Sequence, residues 1–460
     1  MGLFNALTSA VGGLQAQSFA IQNISGNIAN SQTIAYKNID TSFLDLISGE
    51  SVPDQQVAGG VVAFSRPTNT VQGAIQSAAS GTDMAVNGDG YFVVQPALSF
   101  NGTAPVFGGV NSFTRRGDFR LDANGYLVNG AGYYLEGLPI DPTTGIPLGS
   151  VVAPLQFQSN FLPASATTQI QYGINLPTLP QTNAFNSTVA NSELLDPTNF
   201  SAGHDPTVAG TGQVVGNDVS TFVDESISGG SVTVYNSAGT TANLQLRWAK
   251  IHSVASGGAD TWELFYQTDS TATGTAVAWQ NAGTDFIFDA SGQLNPAVTN
   301  VTLTGVAING TAIGNIDLHS PVGALTQFAS SNGTATVNNM QQNGYGAGQL
   351  QSIAVGNNGN INGTFSNGQS VALAEIPLVH FNSPDNLKAL TGGAFQETSE
   401  SGTALSGAGG QIVGQSLESS NTDIATEFTK LIVTQQAYSA NTKVITTANQ
   451  MSQDLLNIIR

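Results

Sequence analysis

The side chains that most often perform catalysis or hold metals are few in this sequence, and they form no recognisable arrangement. Its four histidines, His204, His252, His319 and His380, are scattered and lack the spacing of metal ligands. Cysteine is absent, which excludes thiolate metal sites, disulfides and cysteine nucleophiles. Serine is plentiful, but no nucleophile-elbow sequence accompanies a histidine, and isolated acidic pairs indicate nothing without a pocket. We therefore expect no enzymatic activity, no bound metal and no cofactor.

Three short patterns resemble ligand-binding motifs but are better explained as turns. Segment 210–216 carries glycines like those of a dinucleotide loop, but their spacing is wrong and no βαβ unit surrounds them. Asp122 and Asn124 match two positions of a calcium loop whose other ligands and terminal glutamate are missing. Asn-Gly-Thr triplets match the N-glycosylation pattern, yet Asn-Gly is typical of tight turns that enter strands. These triplets begin at Asn101, Asn309, Asn332 and Asn362.

Charge and composition indicate a β-rich protein with an acidic surface. The 460 residues are enough for about two to four domains, and 53 glycines with abundant Asn, Ser and Thr favour short strands and tight turns. A net charge of −19 would repel nucleic-acid phosphates and anionic lipid, so we expect no nucleic-acid partner. The N-terminus lacks the features of a cleaved secretory signal, and polar residues interrupt its apolar ones. We therefore expect no membrane insertion, and export that leaves the N-terminus intact.

The two ends of the chain carry an apolar repeat with alternating spacings of four and three residues. The N-terminal repeat lies in a segment, 1–36, that has no charged side chain. Such a period is typical of helices that pack lengthwise against other helices. We expect one helix over about 3–34 and another that begins after a cap at Asn421 or Thr422, and we expect the two to pair as a coiled coil. The predicted assembly residues are Leu7, Val11, Leu14, Ile21, Ile28, Phe428, Leu431, Tyr438, Ile445, Leu456 and Ile459.

Between the ends, apolar runs alternate with glycine-containing turns. The runs on either side of 87–90, and those on either side of 122–125, are each predicted to form a β-hairpin. Segment 36–79 is predicted to be extended or irregular. The least patterned stretch, about 155–342, is expected to hold one or two all-β domains inserted into a more regular frame. Its strand candidates are Ser231–Tyr235, Leu244–Trp248, Trp262–Tyr266, Phe286–Phe288 and Val298–Leu303.

These patterns predict an α+β fold that is mostly β, with discontinuous β domains and paired N- and C-terminal helices. The predicted divisions are a helical assembly domain (1–35 and 420–460), an extended connecting segment (36–79 and 411–419), an inner β domain (80–154 and 343–410) and an outer β domain or two (155–342). A lone helix pair with few large apolar residues is marginal, because their burial barely offsets the entropy lost on ordering. We expect both ends to be largely disordered in the monomer and to fold against neighbouring subunits.

Motifs near the ends resemble those of the bacterial flagellar rod and hook proteins. Residues 25–37 read SGNIANSQTIAYK, and they are similar to that family's signature S-x-N-[IL]-A-N-x-x-T-x-G-[FY]-K. Ala35 stands where the family usually has glycine, so a positive-φ turn at this position is an open question. The matching signature residues are Asn27, Ala29, Asn30, Thr33, Tyr36 and Lys37.

Further motifs extend the resemblance in the same order along the chain. Asp83–Val94 resembles the family's D-[LM]-A-[IV]-x-G-x-G-[FY]-F-x-V segment, and Phe113–Val128 resembles the β segment that follows it. Ser420–Met451 is similar in order and spacing to the family's terminal helix. The matches cover roughly 1–140 and 415–460, and the central region contributes nothing to them.

The resemblance implies a self-assembling structural protein. Rod members are mostly short, so the long central insertion resembles the hook members, whose outer domain occupies that position. It implies a curved, flexible tube that couples rod to filament for motility, at the basal body of the extracellular flagellum. The implied partners are further copies of the chain, the rod, hook-cap and hook–filament junction proteins, and the export apparatus.

Two alternatives stay open at this point. Another axial subunit, from the distal rod or the hook–filament junction, would share the same ends but need not form a curved tube. A β-rich surface adhesin with a coiled-coil stalk would bind glycans through its central region and would form no tubes.

Overall fold

The computed structural model describes residues 2–47, 58–158, 161–407 and 409–458. Within these ranges the chain is mostly β. The helices are α1 (Gly2–Ala29), α2 (Val219–Asp224) and α3 (Ile424–Ile458), with 3-10 turns at Pro197–Asn199, Gly216–Asp218, Val254–Ser256 and Pro384–Asn386. None of the described helices is long and apolar enough to cross a membrane.

The strands are numbered in chain order. The first eleven are β1 (Ile39–Ile47), β2 (Ala58–Pro67), β3 (Ile75–Ser77), β4 (Met84–Asn87), β5 (Tyr91–Asn101), β6 (Ala104–Phe107), β7 (Ser112–Thr114), β8 (Phe119–Leu121), β9 (Leu127–Asn129), β10 (Tyr133–Pro139) and β11 (Ala153–Pro154). The next eleven are β12 (Phe161–Leu162), β13 (Gln169–Leu176), β14 (Gln213–Val215), β15 (Ile227–Tyr235), β16 (Thr241–His252), β17 (Asp260–Gln267), β18 (Val277–Phe288), β19 (Asn300–Ile308), β20 (Thr311–His319), β21 (Leu325–Gln327) and β22 (Thr336–Gln342). The last nine are β23 (Gly348–Val355), β24 (Asn360–Phe365), β25 (Ser370–Glu375), β26 (Leu378–His380), β27 (Lys388–Ala389), β28 (Ala394–Gln396), β29 (Leu405–Ser406), β30 (Gln411–Gly414) and β31 (Ser416–Glu418).

The chain forms two compact units, and each is built from separate segments. The first unit comprises Met1–Asn160, Leu350–Thr364 and Ser370–Arg460, and the second comprises Phe161–Gln349 and Phe365–Gln369. The first unit therefore contains both chain ends, with α1 in contact with α3 and with the hairpin formed by β1 and β2.

In the first unit, one local expectation is wrong and another is less specific than the structure. Helix α1 ends at Ala29 rather than near Ile34, because Asn30 turns back and its side-chain amide donates to the Gly26 carbonyl at 2.9 Å. The segment expected to be extended or irregular instead contains a regular antiparallel hairpin, β1 with β2. Apolar residues occupy both faces of this hairpin, which hides the alternation that would have indicated a strand.

The two turns with the same sequence pattern behave differently. The hairpin predicted around 122–125 is confirmed, since β8 pairs with β9 and the Asp122 carboxylate accepts from the Asn124 and Tyr126 amides. The hairpin predicted around 87–90 is wrong. Strand β4 pairs with β30 near the other chain end, while β5 pairs with β6, β7, β10 and β26. Gly88 and Gly90 both adopt positive φ, which lets the chain turn from one sheet into another.

The second unit holds its core between two sheets. One has the order β14-β18-β17-β16-β15, and the other has the order β19-β20-β13-β21 with β22 also on β13. Trp248, Trp262 and Phe286 from the first sheet pack with Ile174 and Ile316 from the second. Four of the five strand candidates lie within β15–β18, and the fifth overlaps β19.

Candidate assembly interface

The two terminal helices approach closely along a face of small residues. Ala10, Ala16 and Ala20 of α1 are buried, and a Cβ added to Gly13 would lie 2.7 Å from Nδ2 of Asn441 in α3. A second contact joins the far end of α1 to the start of α3, where Asn27 meets Glu427. The two contacts occur in opposite order along the two helices, so α1 and α3 run antiparallel.

Helix α3 turns its small and polar residues inward and leaves large apolar residues outside. Its buried residues include Glu427, Thr434 and Ala448. Phe428 is 50% exposed and Val433 is 59% exposed, and no described part of the chain covers them further. An exposed apolar stripe of this kind is unusual for a monomeric protein and marks an interaction surface.

The sequence-predicted assembly residues lie beside the buried face rather than on it. Val11, Phe428 and Tyr438 are exposed. The half-buried ones are Leu7, Leu14, Ile21, Ile28, Leu431 and Ile445. The Leu456 side chain and Ile459 lie outside the described residues.

Asn27 joins three elements of the first unit. Its Oδ1 accepts from the Ile39 amide at 2.9 Å and from the Tyr36 hydroxyl at 3.1 Å. Its Nδ2 donates to the Ile39 carbonyl at 3.0 Å and to Oε2 of Glu427 at 3.1 Å. The buried amide thus uses its full hydrogen-bonding capacity, and it fixes the end of α1 against β1 and α3 at once. Burial raises the pKa of Tyr36, and the nearby Glu427 carboxylate adds to that rise.

A second cluster ties α3 to the hairpin. Nζ of Lys430 donates to Oδ1 of Asp40 and to Oε1 of Glu427, both at 2.8 Å. Burial alone would lower the pKa of Lys430, but its hydrogen bonds with these two carboxylates raise it. Glu427 therefore bridges Asn27 of α1 and Lys430, and it was not among the sequence-predicted site residues. A lone Glu–Lys pair three residues apart in a helix with few charges is the signal that could have identified it.

The signature lysine is held by a buried carboxylate from the other end of the chain. Nζ of Lys37 donates to Oε1 of Glu418 at 2.5 Å and to the Val71 carbonyl at 2.7 Å. Arg115 also forms an ion pair with Glu418, but at 3.6 Å it makes no hydrogen bond with it. Burial lowers the pKa of Lys37, and the attraction of Glu418 opposes that effect. The same Glu418 oxygen accepts from the Gly73 amide at 2.8 Å, so one carboxylate joins three chain segments.

The position where Ala35 replaces the usual glycine does adopt the left-handed conformation. Its φ is 55°, and its amide donates to the Glu418 carbonyl at 2.8 Å. The turn is therefore retained without glycine, although the Cβ of Ala35 makes the left-handed conformation sterically unfavourable.

The predicted cap of α3 is wrong. Oδ1 of Asp423 accepts from the Thr426 amide at 2.6 Å, and this hydrogen bond lowers the pKa of Asp423. Asn421 instead bridges two segments of the connector, because its Oδ1 accepts from the Asn38 amide at 2.7 Å and its Nδ2 donates to Thr68 at 3.0 Å. Tertiary contacts at Asn421 outweigh its preference for capping.

Comparison with known proteins identifies the family. The chain is 30% identical to the flagellar hook protein FlgE of Brucella melitensis, with all of both chains covered. It is also 30% identical to the flagellar hook protein FlgE of Salmonella typhimurium, with 98% of this chain and 100% of the relative covered. The chain belongs to the flagellar hook protein family.

Family models match three regions of this hook protein. They are described as flagellar basal body rod FlgEFG protein C-terminal (residues 413–458), flagellar hook protein FlgE/F/G D1 domain (residues 85–192) and flagellar basal body protein FlaE D2 domain (residues 223–345). The crystal structure of the Helicobacter pylori flagellar hook protein FlgE2 aligns with a TM-score of 0.48 at 16% identity, covering 73% of this chain and 98% of that one. The hook protein is a structural subunit of the flagellar hook and not an enzyme.

Proposed function

We propose that this subunit polymerises through its terminal helices, which pair as an antiparallel coiled coil within each copy and present their outer apolar faces to neighbouring copies. Two interhelical contacts support the pairing. Asn27 with Glu427 and Gly13 with Asn441 are separated by two seven-residue periods on each helix. The observation that carries the proposal is the exposed apolar stripe of α3, because monomeric soluble proteins rarely expose such a surface.

We assign assembly to the residues that follow the apolar repeat of the two terminal helices. Phe428 and Tyr438 point away from the buried face of α3, and Val11 does so on α1. With them we assign Leu7, Leu14, Ile21, Ile28, Leu431, Ile445, Leu456 and Ile459 to contacts between copies. The signature residues Asn27, Asn30, Thr33 and Tyr36 fix the bend by which the chain leaves α1, as the Asn27 hydrogen bonds support.

We assign four layers to the subunit along the predicted divisions. The helical layer (1–35 and 420–460) is innermost and lines a channel for exported chains, and the connector (36–79 and 411–419) follows it. The inner β domain (80–154 and 343–410) and the outer β domain (155–342) lie outside. The absence of charge in 1–36 supports the inner position, because a neutral polar wall does not trap charged cargo.

The partners of the polymer are the rod, the hook cap and the hook–filament junction proteins, reached through the flagellar export apparatus. The chain resides in the extracellular flagellum at the basal body. The family names of its relatives support this placement.

Negative-stain electron microscopy of the concentrated full chain, beside a chain lacking both terminal helices, tests the proposal. Curved tubes from the full chain and monomers from the truncated one are the expected result. Straight tubes would favour a rod-like role instead. If a folded full chain forms no tubes, assembly through the helices is contradicted. The adhesin alternative, which predicts no tubes, would then be favoured.

A single substitution sharpens the same test. Leu431→Asp places a charge in the proposed contact between copies, so polymerisation should be lost while the inner and outer β domains stay folded. Leu405→Asp is a matched control, because Leu405 is exposed on β29 and away from the helices. Normal tubes from Leu431→Asp would overturn the assignment of that residue.

A further inference from the structure

Four copies of one tripeptide, Asn-Gly-Thr, lie in different structural surroundings. Asparagine deamidates readily before glycine, because glycine has no Cβ to shield the backbone nitrogen that attacks the asparagine side chain. Identical tripeptides have the same intrinsic reactivity, so the fold must cause any difference in rate among the four copies. The copies begin at Asn101, Asn309, Asn332 and Asn362, and six further Asn-Gly pairs begin at Asn87, Asn124, Asn129, Asn343, Asn358 and Asn367.

Asn101 lies at the exposed tip of the hairpin formed by β5 and β6. It pairs with Ala104 in the last pair before the turn, so only this pair must open before the Asn101 backbone can rotate. Neither the Asn101 side chain nor the Gly102 amide makes a hydrogen bond with any described residue. A Cβ added to Gly102 would meet nothing within 4 Å, so the attacking nitrogen is unobstructed. Thr103 forms two hydrogen bonds with the Asn124 side chain, and both leave the reacting groups free.

The other three copies of the tripeptide are restrained. Oδ1 of Asn309 accepts from the amide and the hydroxyl of Ser270, at 2.8 and 3.1 Å, which fixes the side chain. The glycine amide after Asn332 donates to a carbonyl of its own turn at 3.2 Å. Asn362 and the glycine after it both lie within β24, with paired residues on either side. Attack at these positions requires further hydrogen bonds to break, and each of them lowers the population of the reactive geometry.

Each of the six other Asn-Gly pairs is restrained as well. The glycine amide after Asn87 donates to Oε1 of Gln72 at 3.0 Å. Asn129 is buried, and its Oδ1 accepts from two backbone amides. The remaining asparagines, whose side chains all form hydrogen bonds, are Asn124, Asn343, Asn358 and Asn367. Among the ten pairs, Asn101 is thus the one whose two reacting groups are both free of hydrogen bonds and outside a strand interior in the described structure.

We propose that Asn101 is a site of spontaneous deamidation in the folded subunit. The Gly102 nitrogen, having lost its proton to base, attacks Cγ of Asn101. The Cγ–Nδ2 bond then breaks, and the leaving nitrogen takes a proton from water and departs as ammonia. Water opens the resulting five-membered imide at either carbonyl, which leaves aspartate or isoaspartate. The net change is one water gained and one ammonia lost, and the reaction is independent of the proposed assembly.

The product changes the hairpin in two ways. Isoaspartate carries the main chain through one additional methylene group, so residues 101 and 104 cannot keep their pairing. Either product also places a carboxylate in segment 95–114, which has no charged side chain. The new charge lies beside Phe100, which is 61% exposed, and near Leu98, which is 76% exposed. Deamidation therefore opens the tip and makes an apolar surface acidic.

The identical tripeptides provide a control within one chain. The full chain is incubated at mildly alkaline pH, once folded and once in denaturant, and peptide mapping by mass spectrometry follows the mass gain at each Asn-Gly pair. In the folded chain, Asn101 should deamidate at least about tenfold faster than Asn309, Asn332 or Asn362. In denaturant the four rates should agree within about twofold. Equal rates in the folded chain, or a preference for Asn101 that persists in denaturant, would overturn the proposal.

The nature of the product and one variant test the mechanism separately. Asn101→Asp supplies the standard for the aspartate product, and a second product of equal mass that separates from it should be isoaspartate. Aspartate alone would contradict attack by the Gly102 nitrogen. Gln72→Ala frees the glycine amide after Asn87, so it should raise the rate at Asn87 by about fivefold and leave Asn101 unchanged. An unchanged rate at Asn87 in the folded variant would remove the basis on which Asn101 is selected.

Discussion

The second unit and the terminal helices bury their side chains in opposite ways. In the second unit the largest side chains, among them Trp248, Trp262 and Phe286, are fully buried within one chain. The buried residues of the two helices are mostly small or polar, with Ile24 as the large apolar exception, while Phe428 and Val433 remain exposed. The second unit is thus complete as a monomer, whereas the helices lack the neighbours that would cover their large side chains.

The difference separates a part of the chain that is complete by itself from a part that, under the proposed assembly, is completed by other copies. A domain with a complete core folds once and keeps its surface polar. A helix pair joined by small residues packs closely but gains little free energy from apolar burial. Under the proposed assembly, we expect contacts with other copies to supply most of its stability.

The largest expected effect is on the second unit alone. Trp248→Ala removes a fully buried side chain that packs against Phe286, and it should cost about 3–5 kcal/mol of unfolding free energy. All three tryptophans lie in this unit, so urea unfolding followed by the fluorescence of the remaining two reports on it. Phe428→Ala is the control and should leave the midpoint unchanged while impairing tube formation. A shifted midpoint in the control would show that the two regions are not independent.

A buried acid gives the second unit a pH dependence. Burial raises the pKa of Glu263 to about 8, and its cross-strand neighbour Asp285 adds repulsion. At pH values between the ordinary glutamate pKa and about 8, Glu263 is therefore protonated in the folded state and ionised in the unfolded state. Stability is highest below that window and falls by on the order of 2–4 kcal/mol as pH rises through it.

Glu263→Gln isolates that effect. The variant should have a nearly flat urea midpoint from pH 5 to pH 9, and above pH 8 it should be more stable than the parent chain. Glu225→Gln is a comparison variant, because Glu225 accepts hydrogen bonds from Asp196 and Asn199 and its removal should destabilise the unit instead. A parent chain whose stability does not fall between pH 5 and pH 9 would contradict a protonated Glu263.

Gly13 and Gly26 test the close approach of the helices. A Cβ at Gly13 would press on the Asn441 side chain, whereas nothing lies within 4 Å of one at Gly26. Both alanines improve helix propensity by up to about 1 kcal/mol, so Gly13→Ala should be less stable than Gly26→Ala by about 1 kcal/mol. Far-UV circular dichroism of assembled tubes on heating measures the difference. Adding Asn441→Ala to Gly13→Ala should restore the loss, and equal behaviour of the two glycines would show that the helices do not touch there.

Sequence and structure agree best where the signal is local and periodic. The seven-residue period identifies both helices, and the strand candidates at 244–248 and 262–266 lie within β16 and β17. The sequence could not show that β4 pairs with β30, because that pairing joins residues from opposite ends of the chain and no local pattern encodes it. For the same reason Glu418 and Glu427 were missed, since their partners Lys37 and Asn27 are distant in sequence. The period also shows which helix faces are apolar. It does not show which face packs within the same chain and which is left to contact another copy.

The smallest expected effect concerns the bend that joins the helix pair to the rest of the first unit. Ala35 pays a steric cost for its φ of 55°, and glycine would remove that cost while adding freedom to the unfolded chain. Ala35→Gly should therefore raise the stability of the assembled tube by no more than about 1 kcal/mol, seen as a small rise in the melting temperature of the helical signal. Ala29→Gly, at the end of α1 where φ is not positive, is the control and should lower it. If Ala35→Gly lowers the melting temperature instead, packing of the buried Ala35 methyl group outweighs the relieved strain. The bend would then be fixed by the same close packing of small residues that joins the two helices.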